Sequence, residues 1–220
     1  PLPDDTGLTE RLHAFMDRSE TFSMPNKKAA YELTHIVFYL SEYGRRDPGV
    51  SDAAVTSLEY AGLLAYLEQN ADLLAEICIA LRYAGRTPSR IWEDWLAAHT
   101  GAFRVMPVTG QVGPDDCHEY FVCTWHGALC GAAPFDLPFP EGPVAFCRPP
   151  QNAAPLRTMS ECMFHLDTAR SDDWSRMRPV IEQALGETGH AILSEALAST
   201  DKFDAFFSGF ARTRLSGVAL

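Results

Sequence analysis

Amphipathic helical segments, repeated along the chain, are the feature that most restricts its fold. In residues 31–44 the apolar side chains recur every three or four positions, which places them on one face of an α-helix. These residues are Leu33, Ile36, Val37 and Leu40. The segment ends at Gly44, and glycine commonly terminates helices. Similar segments follow, and many of them begin after Asp, Ser or Asn, which favour the N-cap position.

This pattern predicts an all-α fold of about eight or nine helices. The longest helices are predicted at about 26–43, 51–69, 70–84, 88–101 and 115–130. The sequences ELTHIVFYLSEYG and LLAEICIALRYAG resemble each other, with acidic residues early and a Tyr shortly before a final Gly. Their similarity favours stacked helix pairs, an α/α-type arrangement.

Two segments interrupt the helical period. Residues 103–113 predict a loop with one short strand. The segment 131–156 contains seven prolines, which exclude a regular helix. It also contains Phe135, Phe139 and Phe146, which favour burial. We therefore expect an ordered crossing loop or a lid over 131–156.

Length and composition indicate a soluble globular protein. The 220 residues fit a single helical domain over 1–220, and the alternative is a division into helix pairs at 1–101 and a second part at 102–220. A net charge of −11 argues against a nucleic-acid or an anionic-membrane partner, because both attract Lys and Arg. No apolar run approaches the roughly 18 residues that span a bilayer.

The cysteines and the first residues favour a cytoplasmic location. The opening sequence PLPDDTGLTE lacks the basic start and apolar run of a signal peptide. Without such a signal, we expect the six cysteines to be reduced thiols and not a disulfide framework.

A line of polar side chains on the helix at 31–44 is the first candidate site. Glu32, His35, Tyr39 and Glu42 recur at helical spacing, away from the apolar stripe. Imidazole and carboxylate groups serve as general acids, general bases and metal ligands. The sequence therefore predicts a partly buried polar pocket here, with all four residues in catalytic roles and with Glu32 and His35 as metal ligands.

Polar residues near the start of two later helices are candidates for the same site. If the first, third and fifth long helices line one cavity, Asp72, Glu76 and His118 converge on His35 and bind the substrate. Asp116 and Glu119 belong to the same set. A set of His and carboxylates suits Fe, Mn or Zn. The alternative is that the histidines are hydrogen-bonded core residues and that Asp72 and Asp116 only cap helices.

Two further patterns resemble metal sites. Glu32-x-x-His35 recurs as Glu187-x-x-His190, and paired Glu-x-x-His motifs occur in di-iron and di-manganese bundles. Gly186 and Gly189 argue against this site, because they place the second pair in a helix break.

The second pattern combines cysteines and histidines in one helix: Cys117, His118, Cys123, His126 and Cys130. Cys123, His126 and Cys130 share a helical face, but a zinc site would need a further ligand from elsewhere. Buried, unreactive thiols are the interpretation that we favour. A nucleophilic Cys–His pair at Cys117 or Cys123 is the alternative.

Two classes of function follow from these observations. The first is an enzyme or binding protein for a small molecule, with the polar pocket at Glu32, His35, Tyr39 and Glu42 and a metal ion held by His and carboxylates. The second is a non-catalytic helical adaptor for a protein partner. The chain has no Gly-rich phosphate loop, no G-x-S-x-G elbow and no H-E-x-x-H motif.

Overall fold

The structure, a computed structural model, describes residues 6–109, 115–133, 137–150 and 154–213. These ranges contain eleven α-helices, one two-stranded sheet and a short 3-10 turn at Asp167–Ala169. The predicted all-α class is therefore confirmed. None of the described helices is both long enough and apolar enough to cross a membrane.

The first seven helices precede the second strand. They are α1 (Leu8–Met16), α2 (Ser19–Phe22), α3 (Lys27–Leu40), α4 (Asp52–Leu67), α5 (Ala71–Tyr83), α6 (Arg90–Gly101) and α7 (Cys117–Leu129). The remaining helices are α8 (Pro155–Leu166), α9 (Trp174–Ala184), α10 (Glu187–Ala198) and α11 (Phe203–Phe210). The strands are β1 (Arg104–Pro107) and β2 (Val144–Cys147).

Helix α5 lies at the centre of the first half and packs against α3, α4, α6 and α7. It is buried along most of its length, because these four helices surround it. Side-chain caps define where the neighbouring helices begin. Asn26 accepts a hydrogen bond from the Ala29 N–H of α3, and Asn70 accepts one from the Leu73 N–H of α5. The arrangement brings the polar early turns of α3, α5 and α7 to one end of the helix group.

The later helices extend the same core. Helices α8 and α10 both pack against α4, and α9 packs against α8 and α11. The phenylalanine stripe of α11 is buried, and the rings of Phe203 and Phe207 lie 5.0 and 4.9 Å from the Trp174 ring. Helix α11 ends at Phe210, and residues 214–220 lie outside the described ranges.

The Pro-rich segment contributes the strand β2, which the sequence did not predict. Arg104 pairs with Cys147 and Pro107 with Val144 in an antiparallel ladder. Prolines are compatible with such a short edge strand, although they exclude a helix. Phe146 of β2 is buried against α7, whereas Phe139 is exposed. The predicted crossing loop ends early, because Pro155 occupies the first turn of α8, where proline is favoured.

Parts of two predictions lie outside the described residues. These are residues 110–113 of the predicted loop and, within 131–156, residues 134–136 with Phe135 and residues 151–153.

One helical boundary also differs from the prediction. Helix α10 begins at Glu187, so the Glu187-x-x-His190 pair lies in the first helical turn and not in a break. The Glu187 residue is exposed there.

The turn after α3 is left-handed over three residues. The helix ends at Leu40, and Glu42, Tyr43 and Gly44 have φ values of 49°, 57° and 82°. Only glycine adopts such a φ without a steric cost. At Gly44 glycine is also needed for space, because a Cβ atom there would lie 2.4 Å from the Tyr83 ring.

Candidate functional site

The early turns of α3, α5 and α7 meet in a polar cluster, as the sequence analysis suggested. The Tyr31 hydroxyl donates a 2.6 Å hydrogen bond to Asp72 Oδ2. On the other side of the same carboxylate, His118 Nδ1 lies 2.6 Å from Asp72 Oδ1. Asp72 is largely buried, whereas the His118 side chain is exposed. Asp72 therefore joins the three helices.

Glu76 is the buried member of this cluster, with 3% of its surface exposed. The Thr34 hydroxyl donates a 2.6 Å hydrogen bond to Glu76 Oε2, and His35 Nε2 lies 3.5 Å from the same oxygen. Burial raises the pKa of Glu76, although the Thr34 hydrogen bond and the nearby His35 oppose the shift. His35, Asp72, Glu76 and His118 are thus the predicted residues that the structure brings together.

The other predicted residues of the polar line face solvent. Glu32 is exposed and lies 3.9 Å from Lys28. Tyr39 is 65% exposed, and Glu42 lies beyond the end of α3, 3.4 Å from Arg46. The structure therefore does not join these three side chains to the buried carboxylate of Glu76.

Asp116 and Glu119 lie in a different cluster. The buried His99 ring contacts Glu119 Oε1 through Nε2 at 2.7 Å, and Arg148 donates to Glu119 Oε2 at 3.2 Å. Asp116 accepts a hydrogen bond from the Arg148 backbone N–H. These contacts fix the first turn of α7 against α6 and the residue that follows β2.

A third cluster joins α6 to the end of α7. Glu93 Oε1 lies 3.3 Å from His126 Nε2 and 3.6 Å from Cys130 Sγ. The distance from Cys130 Sγ to His126 Nε2 is 3.4 Å. Within the described residues, this is the group of His, Cys, Asp and Glu that brings three ligand atoms close together. The three atoms form a nearly equilateral triangle.

Arg82 of α5 holds the carboxylate of this cluster. Its Nε and Nη2 atoms donate hydrogen bonds of 2.9 and 2.6 Å to Glu93 Oε1. His126 is almost fully buried, and Glu93 is mostly buried. Two other arginines of this part of the chain pair elsewhere, Arg86 with Asp52 and Arg90 with Asp94.

The cluster of Glu93, His126 and Cys130 lines a cavity of about 530 Å³. Thr124 also lines the cavity, and its buried hydroxyl has no hydrogen-bond partner among the described residues. Native proteins leave few buried polar groups without a partner, so each one requires an explanation. The remaining wall is made mainly of small or apolar residues: Ala97, Gly101, Gly127, Ala132, Ala133 and Leu137.

The protonation states follow from burial. Burial raises the pKa of the Cys130 thiol, and the negative charge of Glu93 raises it further. Burial lowers the pKa of His126, although Glu93 opposes that shift. At neutral pH the pair is therefore a thiol and a neutral imidazole. Neutral imidazole is the form that binds metals, whereas the thiol must lose its proton to do so.

Two thiols fit the interpretation of buried, unreactive cysteines, whereas Cys130 is exposed and Cys117 is only partly buried. Cys78 and Cys123 are almost fully buried, and burial raises the pKa of both. A nucleophilic cysteine needs the opposite shift.

Sequence reasoning missed Glu93 because that residue lies on a different helix from His126 and Cys130. The available signal was the four-residue spacing of His126 and Cys130, which places both on one face of α7. The segment RIWEDWLAAH around Glu93 contains no motif that would single it out.

Aromatic side chains cover the surface between the end of α3 and α7. The Trp125 ring lies 5.2 Å from the Phe38 ring and 6.1 Å from the Tyr43 ring. Tyr39 and Tyr43 are more than half exposed, and their rings are 6.0 Å apart. We call Tyr39, Tyr43 and Trp125 the aromatic face.

Comparison with known proteins identifies one family. The family model described as a domain of unknown function (DUF6902) matches residues 1–213. No match was found among curated proteins or among solved structures.

Proposed function

We propose that this chain, which belongs to the DUF6902 family, binds a zinc ion through Glu93, His126 and Cys130 and holds a small molecule in the adjoining cavity. The observation that carries the proposal is the triangle of ligand atoms, with edges of 3.3, 3.4 and 3.6 Å. A small-molecule binding protein with a His- and carboxylate-bound metal is one of the classes that the sequence suggested.

The size of the triangle suits tetrahedral zinc. Zinc binds N and O ligands at about 2.0–2.2 Å and S at about 2.3 Å. Tetrahedral angles then separate neighbouring ligand atoms by roughly 3.4–3.6 Å, a range derived from those bond lengths. The three edges of the cluster agree with this range to within about 0.2 Å. A thiolate also favours zinc over manganese, because soft ligands prefer softer metals.

Three protein ligands leave one position of a tetrahedral ion open. Structural zinc sites usually have four protein ligands, whereas catalytic sites have three and an open position. When bound, a zinc ion at such a site would polarise an oxygen of a ligand or lower the pKa of a bound water. Arg82 would hold the ligating carboxylate of Glu93 in place, as hydrogen-bond donors commonly do at metal sites.

Metal analysis of the purified protein tests the proposal. We expect about one zinc per chain after dialysis into metal-free buffer, and its loss in Cys130→Ser and in His126→Gln. Cys162→Ser is the matched control, because Cys162 is a partly buried thiol on α8, away from the cluster. The proposal fails if the parent protein takes up no zinc, or if the Cys162 variant loses zinc as readily as the Cys130 variant.

A non-catalytic adaptor is the second candidate function, and the aromatic face favours it. Exposed tyrosines are common in protein interfaces. A co-purifying protein that is lost in the double variant Tyr39→Ala/Tyr43→Ala, with zinc content unchanged, would support an adaptor. Loss of zinc in Cys130→Ser, with no partner lost in the tyrosine double variant, would support the metal site.

We also propose that the protein acts in a reducing compartment such as the cytoplasm. All six cysteines lie in the described ranges, and all are free thiols. Free thiols persist where glutathione and thioredoxin keep them reduced.

A further inference from the structure

His118 and Asp72 form a pair that the proposed zinc site does not use. His118 Nδ1 lies 2.6 Å from Asp72 Oδ1, and the imidazole is 71% exposed whereas the carboxylate side chain is only 15% exposed. A histidine that only fills the core would be buried. We propose that the pair is a catalytic dyad in which His118 Nε2 acts as the general base in the hydrolysis of neutral aryl esters. This inference does not depend on the zinc site.

Hydrogen bonding fixes the tautomer of His118. A carboxylate can only accept hydrogen bonds, so Nδ1 carries the proton and donates it to Asp72. The lone pair of Nε2 is then free to accept a proton from water. The Tyr31 hydroxyl donates a 2.6 Å hydrogen bond to the other oxygen of Asp72, which restricts the rotation of that carboxylate. A carboxylate that orients an imidazole in this way is a feature of catalytic histidines.

The reaction is an acyl transfer to water. Nε2 removes a proton from a water molecule while the water oxygen bonds to the carbonyl carbon of the ester. The tetrahedral intermediate then breaks its bond to the phenolic oxygen, which takes the proton from the imidazolium. One ester and one water give a carboxylic acid and a phenol, and the dyad returns to its first state. Asp72 stays ionised throughout and is a positioning residue.

The strength of a single base selects the leaving group. General acid–base catalysis contributes about 10²–10⁴-fold to a rate. A gain of this size suffices for an aryl ester, because a phenol with a pKa of about 10 leaves readily. Amide hydrolysis would need strong stabilisation of an oxyanion as well.

The charges near His118 select a neutral substrate. Asp72 contacts the ring, and the whole chain has a net charge of −11, so an anionic substrate such as a phosphate ester is repelled. The start of α7 carries a partial positive charge of roughly half a unit. That charge is offset by Asp115, whose carboxylate accepts a hydrogen bond from the Cys117 N–H.

A row of rings leads from the dyad to the aromatic face and selects an aryl group. Neighbouring ring centres in the row lie between 5.2 and 6.5 Å apart, in the order Tyr31, His35, Phe38, Trp125 and Tyr43. Trp125 lies seven residues after His118, which is two turns of α7 or about 10 Å. An aryl group that packs against this row is therefore within the length of a small molecule from Nε2.

Two 4-nitrophenyl compounds test the reaction and the charge selection. The purified full chain is incubated with 4-nitrophenyl acetate, which is neutral, and with 4-nitrophenyl phosphate, which is anionic. Release of 4-nitrophenolate is followed by absorbance. We expect saturable hydrolysis of the acetate, with kcat/KM at least about tenfold above the rate constant of free imidazole, and no catalysed hydrolysis of the phosphate. A rate constant no greater than that of imidazole, or equal hydrolysis of both compounds, would overturn the proposal.

Three variants assign the activity to the dyad. His118→Ala should lower kcat/KM about 100-fold. Asp72→Asn should lower kcat at least about tenfold and leave KM within about twofold, because an amide favours the other tautomer of the ring. His165→Ala, at an exposed histidine of α8, is the control and should keep the parental rate. A parental rate in His118→Ala would overturn the dyad. His118 is exposed, so this variant decides the question even if Asp72→Asn fails to fold.

A chelator separates this activity from the proposed zinc site, because zinc-bound hydroxide can also hydrolyse esters. The rate should be unchanged after metal is removed with 1,10-phenanthroline, and His118→Ala should keep the parental zinc content. A rate that falls with the metal and survives in His118→Ala would overturn the dyad and assign the hydrolysis to the zinc site. Hydrolysis that depends on His118 in a protein that takes up no zinc would support the dyad and overturn only the zinc proposal.

Discussion

Thr34 donates a 2.6 Å hydrogen bond from its hydroxyl to the carboxylate of Glu76, and neither side chain is exposed. The contact joins α3 to the centre of α5. It also places a carboxyl group in the core, where the charged form is disfavoured because water cannot solvate it.

Glu76→Gln should change how stability depends on pH. Burial raises the pKa of Glu76 in the folded protein, so the native state holds this proton more tightly than the unfolded chain does. The parent therefore loses stability as pH rises from the unfolded carboxyl pKa, about 4.3, through the raised folded pKa. Gln accepts the Thr34 hydrogen bond without this loss.

Urea unfolding at about pH 4.5 and about pH 7.5 measures the effect. As pH rises from the lower to the higher value, the free energy of unfolding of the variant should increase relative to that of the parent. Glu32→Gln removes one exposed carboxyl and serves as the control. A constant difference between variant and parent over this range would contradict the prediction.

His35→Gln tests which of the two clusters binds metal. The His35 side chain is about half exposed and lies 3.5 Å from Glu76, so the variant should fold with a change within about 1 kcal/mol. Because His35 is not part of the triangle at Glu93, we expect zinc content to be unchanged. Metal content and melting temperature are measured together. Loss of zinc with an unchanged melting temperature would instead support the metal site that the sequence predicted at Glu32 and His35.

Gly44→Ala should be much more disruptive than Gly49→Ala. Both glycines have positive φ, 82° and 64°, so both substitutions incur the left-handed penalty of about 1 kcal/mol. Only at Gly44 would the new Cβ also meet a ring, that of Tyr83, whereas nothing lies within 4 Å at Gly49. We expect Gly44→Ala to cost about 2–4 kcal/mol in total. Equal unfolding midpoints in urea for the two variants would show that the Tyr83 ring moves away freely.

Asp115→Ala should loosen the connection between α7 and β2. Asp115 Oδ2 accepts a 2.8 Å hydrogen bond from the Phe146 N–H, which lowers the pKa of Asp115. A lowered pKa gives stability that is present above the unfolded carboxyl pKa of about 3.9 and is lost as pH falls through the folded pKa. At neutral pH we expect a cost of about 1 kcal/mol in urea unfolding, and less near pH 3. Asp201→Ala, at an exposed position, should change the stability little. An equal loss of stability in both variants would argue against a stabilising role of the hydrogen bond between Asp115 and Phe146.

Sequence patterns correctly predicted those features that depend on side-chain spacing within a single helix. The spacing of Leu33 and Val37 predicted α3, and the shared helical face predicted that His126 and Cys130 lie together. They also indicated that Asp72, Glu76 and His118 could meet His35. Other features depended on contacts between distant segments. Glu93 of α6 contacts His126 of α7, and β2 forms only because residues 104–107 pair with it. Exposure was equally hard to predict, since Tyr39 faces solvent and Thr34 is buried.

The strand β2 lies beyond α7 in the chain, yet it holds the first turn of that helix. Phe146 and Arg148 donate their backbone N–H groups to Asp115 and Asp116. During synthesis the chain leaves the ribosome from its amino end, so α7 is complete before these anchors exist. Until residue 148 emerges, α7 packs against α3, α5 and α6 without these two anchors. Final alignment of the helix that carries His126 and Cys130 is therefore a late event in the folding of each newly made chain.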